Sequence, residues 1–144
     1  MIGSMKTNIF LKNQDGGVLV EFGLILPFLI LLIFGIIEFS LLLFNQQVIT
    51  NASREGARAG IIMGPDRGTG EHISESRTVA EHYCRGNLVT FSNSGDCNID
   101  YPNPGTLSGS EFTVTVSYNY GFLVLSSLGF NPIDLSAESV MILE

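Results

Sequence analysis

Charged residues are scarce in this 144-residue chain. They make up 15% of it, whereas a soluble globular domain averages about 25%. Basic residues are scarcer than acids, since seven lysines and arginines stand against fourteen acids and leave a net charge of −7. This balance excludes a basic nucleic-acid binder, because a phosphate backbone would be repelled. The apolar content of 45% excludes a disordered chain and indicates a membrane segment.

The chain also lacks the residue spacings that catalysis and metal binding require. Its two cysteines, Cys84 and Cys97, and its two histidines, His72 and His82, form neither an H-E-x-x-H nor a C-x-x-C pattern. Its glycine-rich segments lack the lysine of a phosphate loop and the spacing of a nucleophile elbow. We therefore expect no enzyme activity, no metal and no cofactor.

One long apolar run dominates the N-terminal third. The 23 residues from Phe22 to Phe44 are interrupted only by Glu38 and Ser40. A helix of this length spans about 34 Å, enough to cross a bilayer. The run exceeds the roughly 7–15 residues of a secretory signal core, and no small-residue cleavage site follows it. We predict a retained transmembrane helix over residues 17–44.

The basic residues set the predicted orientation. Both lysines, Lys6 and Lys12, precede the apolar run, and the next basic residue beyond it is Arg54. Because basic flanks stay in the cytoplasm, residues 1–16 are predicted to be cytoplasmic and residues 45–144 to lie outside.

The residues before the span, Gly16-Gly17-Val18-Leu19-Val20-Glu21-Phe22, resemble the class III signal of type IV prepilins. The resemblance implies that a membrane peptidase removes residues 1–16 by cutting after Gly16 and leaves the apolar helix attached. We expect the glycines to keep this site extended and accessible before the helix starts.

Glu21 would become the fifth residue of the processed chain, and it has three interpretations. It is an acid favoured by the dipole at a helix N-terminus, or a residue at the lipid interface that never enters the hydrocarbon. In the third, it is a buried counter-ion for the Gly17 amine of a neighbouring subunit, which would set the register of an assembly. The sequence leaves capping and pairing equally open.

Glu38 is the second acid of the run. It lies 17 residues beyond Glu21, or about 26 Å along a helix, which places it near the outer interface. We expect a solvated or snorkelling acid there, and the alternative is an acid that binds a partner within the membrane.

Beyond the membrane, residues 46–62 are predicted to continue the same helix. Small residues recur there at four-residue spacing and form a small-residue ridge consisting of Ala52, Gly56, Gly60 and Gly64. Such a ridge lets another backbone approach closely. It seats the helix on its own sheet, which we favour, or packs one subunit against another.

The remaining pattern predicts a small α+β domain. Residues 71–85 form an amphipathic helix, and strict alternation over 112–120 indicates a half-buried strand. Residues 135–143 form a second strand, and short strands are predicted near residues 88–91 and 98–101. We expect an antiparallel sheet packed against the extended first helix.

The apolar connector, residues 121–132, is bounded by glycine and proline. Burial is the commoner fate of such a segment, and we favour it. The alternative is an exposed loop that touches lipid or a partner.

Cys84 and Cys97 face an oxidising compartment if the orientation is right, so we expect a disulfide. The loop that this bond closes would contribute about 3 kcal/mol.

A family resemblance becomes specific over several of these features. They are the run from Gly17 to Pro27, the long apolar helix with Glu38, and the segment Asn51-Ala52-Ser53-Arg54-Glu55-Gly56-Ala57-Arg58. Together they resemble the TadE-like family, minor pseudopilins of the tight-adherence pilus and related secretion systems. The resemblance covers residues 17–64 well and 111–144 loosely, and it implies a pilin-like fold.

The resemblance implies a non-enzymatic, single-pass subunit for pilus assembly, secretion or adhesion, located in the bacterial inner membrane. It implies as partners a prepilin peptidase, other pilin or pseudopilin subunits and assembly-platform proteins, with no nucleic acid. The rival hypothesis is a signal-anchored extracytoplasmic binding or sensor module whose N-terminus is not processed.

Overall fold

The computed structural model describes residues 15–64, 70–91 and 96–143. In chain order these residues form helix α1 (Asp15–Met63), helix α2 (Glu71–Asn87), strand β1 (Asn98–Asp100), strand β2 (Glu111–Tyr120), a short 3₁₀ helix (Leu125–Leu128) and strand β3 (Ile133–Ile142). The predicted α+β class, with a long first helix and a small antiparallel sheet, is confirmed.

The chain divides into two compact units, Met1–Gly35 and Ile36–Glu144. In the first unit the described residues 15–35 are helical, and residues 16–35 are all exposed. The second unit holds the rest of α1, α2 and the whole sheet. It begins at Ile36, nine residues before Asn45, the predicted first residue of the external domain. The extra residues belong to it because Glu38 is buried and Leu41 and Leu42 pack against its core.

The sheet has the strand order β1-β2-β3, and both pairs are antiparallel. The alternation in β2 places its aromatic and β-branched side chains on one face, where they are buried. These side chains are Phe112, Val114, Val116, Tyr118 and Tyr120. β3 continues this face, with Leu135 opposite Tyr118 and Ala137 opposite Val116.

The part of α1 in the second unit lies along this sheet. Gly60 meets the ring of Phe112 near the start of β2, and Glu38 meets Tyr120 at its end. Between these points, Gln46 donates to the carbonyl of Ser136 at 3.0 Å, and the hydroxyls of Ser53 and Ser139 lie 2.9 Å apart. β2 therefore runs antiparallel to α1.

Helix α2 also runs back along α1. Ser76 and Ala80 face Gly56, and the chain just after α2 contacts Asn45. The Asn45 side chain donates to the carbonyl of Val89 at 2.8 Å and accepts from the N–H of Val89 at 3.0 Å. The strand predicted near residues 88–91 is wrong, because one buried side chain satisfies the backbone groups that a strand would pair. The other predicted elements lie within a few residues of their observed bounds.

Most of the apolar connector is exposed, although Gly121 is buried and Phe122 packs against the core. It contains the 3₁₀ helix, and residues 126–132 are all exposed. The favoured expectation of burial is wrong, because α1 and the sheet already cover each other and leave the connector beyond the end of the core.

Candidate functional site

The predicted processing position lies in the first turn of α1. Gly16 and Gly17 are helical, and at neither residue would an added Cβ meet another atom within 4 Å. The expectation that these glycines hold an extended segment is wrong in this structure, because α1 begins at Asp15. Glycine costs a helix about 1 kcal/mol relative to alanine, so the two glycines lower the helix propensity of this turn. Residues 1–14 of the predicted leader lie outside the described residues.

Glu21 is exposed on α1, four residues after Gly17. Val20 and Phe22 on either side of it are exposed as well. The three interpretations of Glu21 stay predictions, because the first depends on where the helix starts once residues 1–16 are removed and the other two depend on lipid or on a neighbouring subunit.

Glu38 has a role that the sequence analysis did not assign. Its residue is 2% exposed, and its carboxylate accepts three hydrogen bonds from the far end of the chain. The hydroxyl of Tyr120 donates at 3.1 Å, the N–H of Leu123 at 2.8 Å and the N–H of Val124 at 3.1 Å. The expectation of a solvated or snorkelling acid is therefore wrong. A buried acid needs hydrogen-bond donors around it, and two of the donors here are backbone N–H groups of the connector. These bonds hold the start of the connector against α1.

Tyr120 completes this cluster from the sheet. It is fully buried, and its ring meets that of Phe122 edge to face at a centroid distance of 5.6 Å. Burial raises the pKa of the Tyr120 hydroxyl, and its contact with Glu38 raises this pKa further. The hydroxyl therefore remains a donor at physiological pH. The signal in the sequence was an acid inside an apolar run, but its partner lies 82 residues away.

Three of the four residues of the small-residue ridge, Ala52, Gly56 and Gly60, pack inside the second unit. Ala52 is fully buried. A Cβ added to Gly56 would lie 3.1 Å from the Cβ of Ala80, and one added to Gly60 would lie 2.3 Å from the ring of Phe112. At these three positions α1 packs on α2 and on the sheet of the same chain, while packing of the ridge between subunits stays a prediction. Gly64 follows the end of α1 with φ of 71°, and a Cβ there would have no neighbour within 4 Å.

The predicted disulfide is confirmed. Cys84 near the end of α2 is bonded to Cys97 just before β1. Cys84 is fully buried in the core, so the bond ties α2 to the sheet from inside the domain.

His72 contacts a backbone carbonyl and an aromatic ring of the second unit. The ring of His72 contacts the carbonyl of Pro104 at 3.0 Å and lies 5.6 Å from the ring of Phe112. Among the described residues, no three or more His, Cys, Asp or Glu side chains are grouped to hold a metal ion. The contacts that the structure shows along α1 are hydrogen bonds, at Glu38 and Asn45, and close packing, at Gly56 and Gly60.

By length and composition, α1 can cross a membrane. Residues 16–58 match the family model described as TadE-like protein. This confirms the resemblance for that segment, while the looser likeness of residues 111–144 stays a prediction. No curated protein and no solved structure matches the chain.

Proposed function

We propose that this chain, whose residues 16–58 form a TadE-like segment, is a membrane-anchored, pseudopilin-like subunit of pilus assembly or of related secretion or adhesion machinery. The family match carries the proposal, since the family is pilus-related and non-enzymatic. The continuous helix from Asp15 to Met63 supports it, because one element joins an exposed apolar half to a folded domain. The subunit would act by binding other subunits.

The first step is removal of residues 1–16 by a prepilin peptidase in the inner membrane. Gly16 and Gly17 are consistent with it, because an added Cβ would meet no atom within 4 Å and packing of the described protein therefore does not require glycine at either position. Coexpression with the cognate peptidase should give an intact mass that begins at Gly17. Gly16→Leu should keep the leader, since a peptidase pocket fitted to glycine has no room for leucine. Gly23→Leu, at another open glycine of α1, is the matched control and should be cut normally.

The second step is docking of α1 into an assembly through Glu21. A charge in lipid is costly unless it is paired, and the new Gly17 amine of a neighbouring subunit is a suitable partner. Glu21→Gln should reduce copurification with other pilin or pseudopilin subunits and assembly-platform proteins. It should leave membrane insertion unchanged. Glu55→Gln, an exposed acid further along α1, is the control. Equal copurification of both variants would argue against the pairing.

Under the rival hypothesis of a signal-anchored binding or sensor module, the membrane helix is only a tether. Replacing residues 22–35 by leucine tests this, and the replacement has to stop at Gly35 because the second unit begins at Ile36 and needs Glu38. A pseudopilin-like subunit should lose assembly, while a tethered module should keep its function. The disulfide between Cys84 and Cys97 supports an extracytoplasmic position of the second unit. A protease added to spheroplasts should therefore reach that unit.

A further inference from the structure

The apolar connector, residues 121–132, has a fixed position relative to α1. Its first residues are held by Glu38, which accepts from the N–H groups of Leu123 and Val124. Glu38 lies inside the apolar run of α1, with Phe39 exposed beside it. Along the axis of α1, the start of the connector therefore lies beside Glu38 and the exposed apolar surface around Phe39. This is the end of the sheet opposite to Gly60.

The position of Glu38 along α1 corresponds to the outer boundary of a bilayer. A hydrocarbon core of about 30 Å takes about 20 helical residues. Counted from Gly17, the start of the predicted span, those residues end close to Glu38. No charged residue occurs between Glu38 and Arg54 or between Gly121 and Ile133. Neither segment therefore carries a charge that would make contact with lipid costly.

The connector presents apolar side chains outward. Leu128 is 61% exposed and Phe130 is 57% exposed. Between them, Gly129 has φ of 89°, a conformation that glycine adopts readily. It ends the 3₁₀ helix in a Schellman arrangement, in which the Gly129 N–H bonds to Ser126 and the Phe130 N–H to Leu125, both at 3.1 Å. The two side chains are thus displayed by an ordered turn.

Part of the backbone of the connector is already hydrogen-bonded within the protein. N–H groups at five positions donate to protein acceptors, namely at Leu123, Val124, Ser127, Gly129 and Phe130. An irregular segment enters an apolar environment only at high cost when its N–H groups are free. Here the hydrogen bonds to Glu38 and within the turn lower that cost at these five positions.

We propose that the connector lies in the outer interface of the bilayer, with Leu128 and Phe130 inserted among the lipid chains. This inference rests on the proposed membrane anchoring of α1. It commits to lipid as the occupant, because the connector is uncharged and fixed at the level of the apolar surface of α1. The domain would then touch the membrane at two places, which restricts its tilt.

Tryptophan fluorescence tests the proposal directly, because the chain has no tryptophan. Four single variants of the full chain are reconstituted in phosphatidylcholine–phosphatidylglycerol vesicles with brominated acyl chains. Phe130→Trp and Leu128→Trp report on the connector, and Phe28→Trp, at a 75% exposed residue, on the predicted span. Leu107→Trp is the matched control, an exposed apolar residue in the loop that bonds to the end of β3 opposite the connector.

The expected result is loss of emission for Phe130→Trp and Leu128→Trp, largest with bromine near the glycerol end of the chains, and no loss for Leu107→Trp. If Phe28→Trp is quenched while both connector variants are not, the connector is clear of lipid and the proposal fails, although the anchor stands. A connector emission that is blue-shifted but unquenched would indicate a protein contact and would also overturn it. If Phe28→Trp is unquenched, the anchoring fails as well.

Discussion

The hydroxyl of Tyr120, at the end of the central strand, donates a hydrogen bond to the carboxylate of Glu38 on the long helix at a distance of 3.1 Å. The same carboxylate accepts from Leu123 and Val124 just beyond that strand. One acid in an apolar run thereby fixes where the sheet ends along the helix. It also fixes the place where the connector leaves the sheet.

Removing this acid should destabilise the second unit and loosen the connector. Glu38→Ala leaves the buried Tyr120 hydroxyl and two backbone N–H groups without an acceptor, at a cost of about 2–4 kcal/mol. In detergent, the unfolding midpoint should fall by roughly 10 °C. Chymotrypsin should cut the connector faster. Glu55→Ala, an exposed acid on the same helix, should change neither measurement. A Glu38→Ala protein with wild-type cleavage rates would refute this role.

The contact between Gly60 and Phe112 should tolerate no added methyl group. A Cβ at residue 60 would lie 2.3 Å from the ring, so Gly60→Ala must displace Phe112 or the helix. We expect a loss of about 1–3 kcal/mol in the free energy of unfolding, typical of an overpacked core. Gly86→Ala is the matched control, since an added Cβ in α2 meets nothing and the alanine improves helix propensity. Chemical denaturation of both variants measures the contrast, and equal stability would contradict the packing.

The bond between Cys84 and Cys97 should account for a large share of the stability of the second unit. The two residues are 13 positions apart, and a loop of this length predicts a contribution of about 3 kcal/mol. The double variant Cys84→Ser with Cys97→Ser should unfold at a correspondingly lower denaturant concentration. Reductant should lower the stability of the wild type to a similar level and leave the double variant unchanged. An effect of reductant on the double variant would show that it acts elsewhere.

Alkaline pH should weaken the domain through its buried tyrosines. Burial raises the pKa of Tyr101, Tyr118 and Tyr120, with Glu38 adding to the effect at Tyr120. The folded protein therefore keeps protons that the unfolded chain releases above pH about 10. The stability gained from these groups is fully present below that pH and is lost as pH rises through the folded-state values.

An ultraviolet titration measures this effect, since the chain has no tryptophan to overlap the tyrosine signal. We expect part of the tyrosine absorbance to change only together with unfolding. Tyr120→Phe should make the stability less dependent on pH in the alkaline range. If all four tyrosines ionise freely before unfolding begins, the burial argument is wrong.

Local patterns in the sequence were sufficient to predict the elements that depend on neighbouring residues. A 23-residue apolar run, a clean alternation over residues 112–120 and an amphipathic segment from Glu71 each specify their own geometry. The family match over residues 16–58 likewise depends on neighbouring residues of one helix. The disulfide was predictable because the chain offers only one pair of cysteines.

The roles of Glu38, Asn45 and the connector depend on contacts between distant parts of the chain. The partners of Glu38 lie up to 86 residues away, and those of Asn45 lie 44 residues away, so no local pattern could assign them. The strand predicted at residues 88–91 does not form, because the side chain of Asn45, 44 residues away, bonds to the backbone of Val89. A buried polar group is stabilised by whichever donors the fold brings to it, and that choice is made when distant elements pack together.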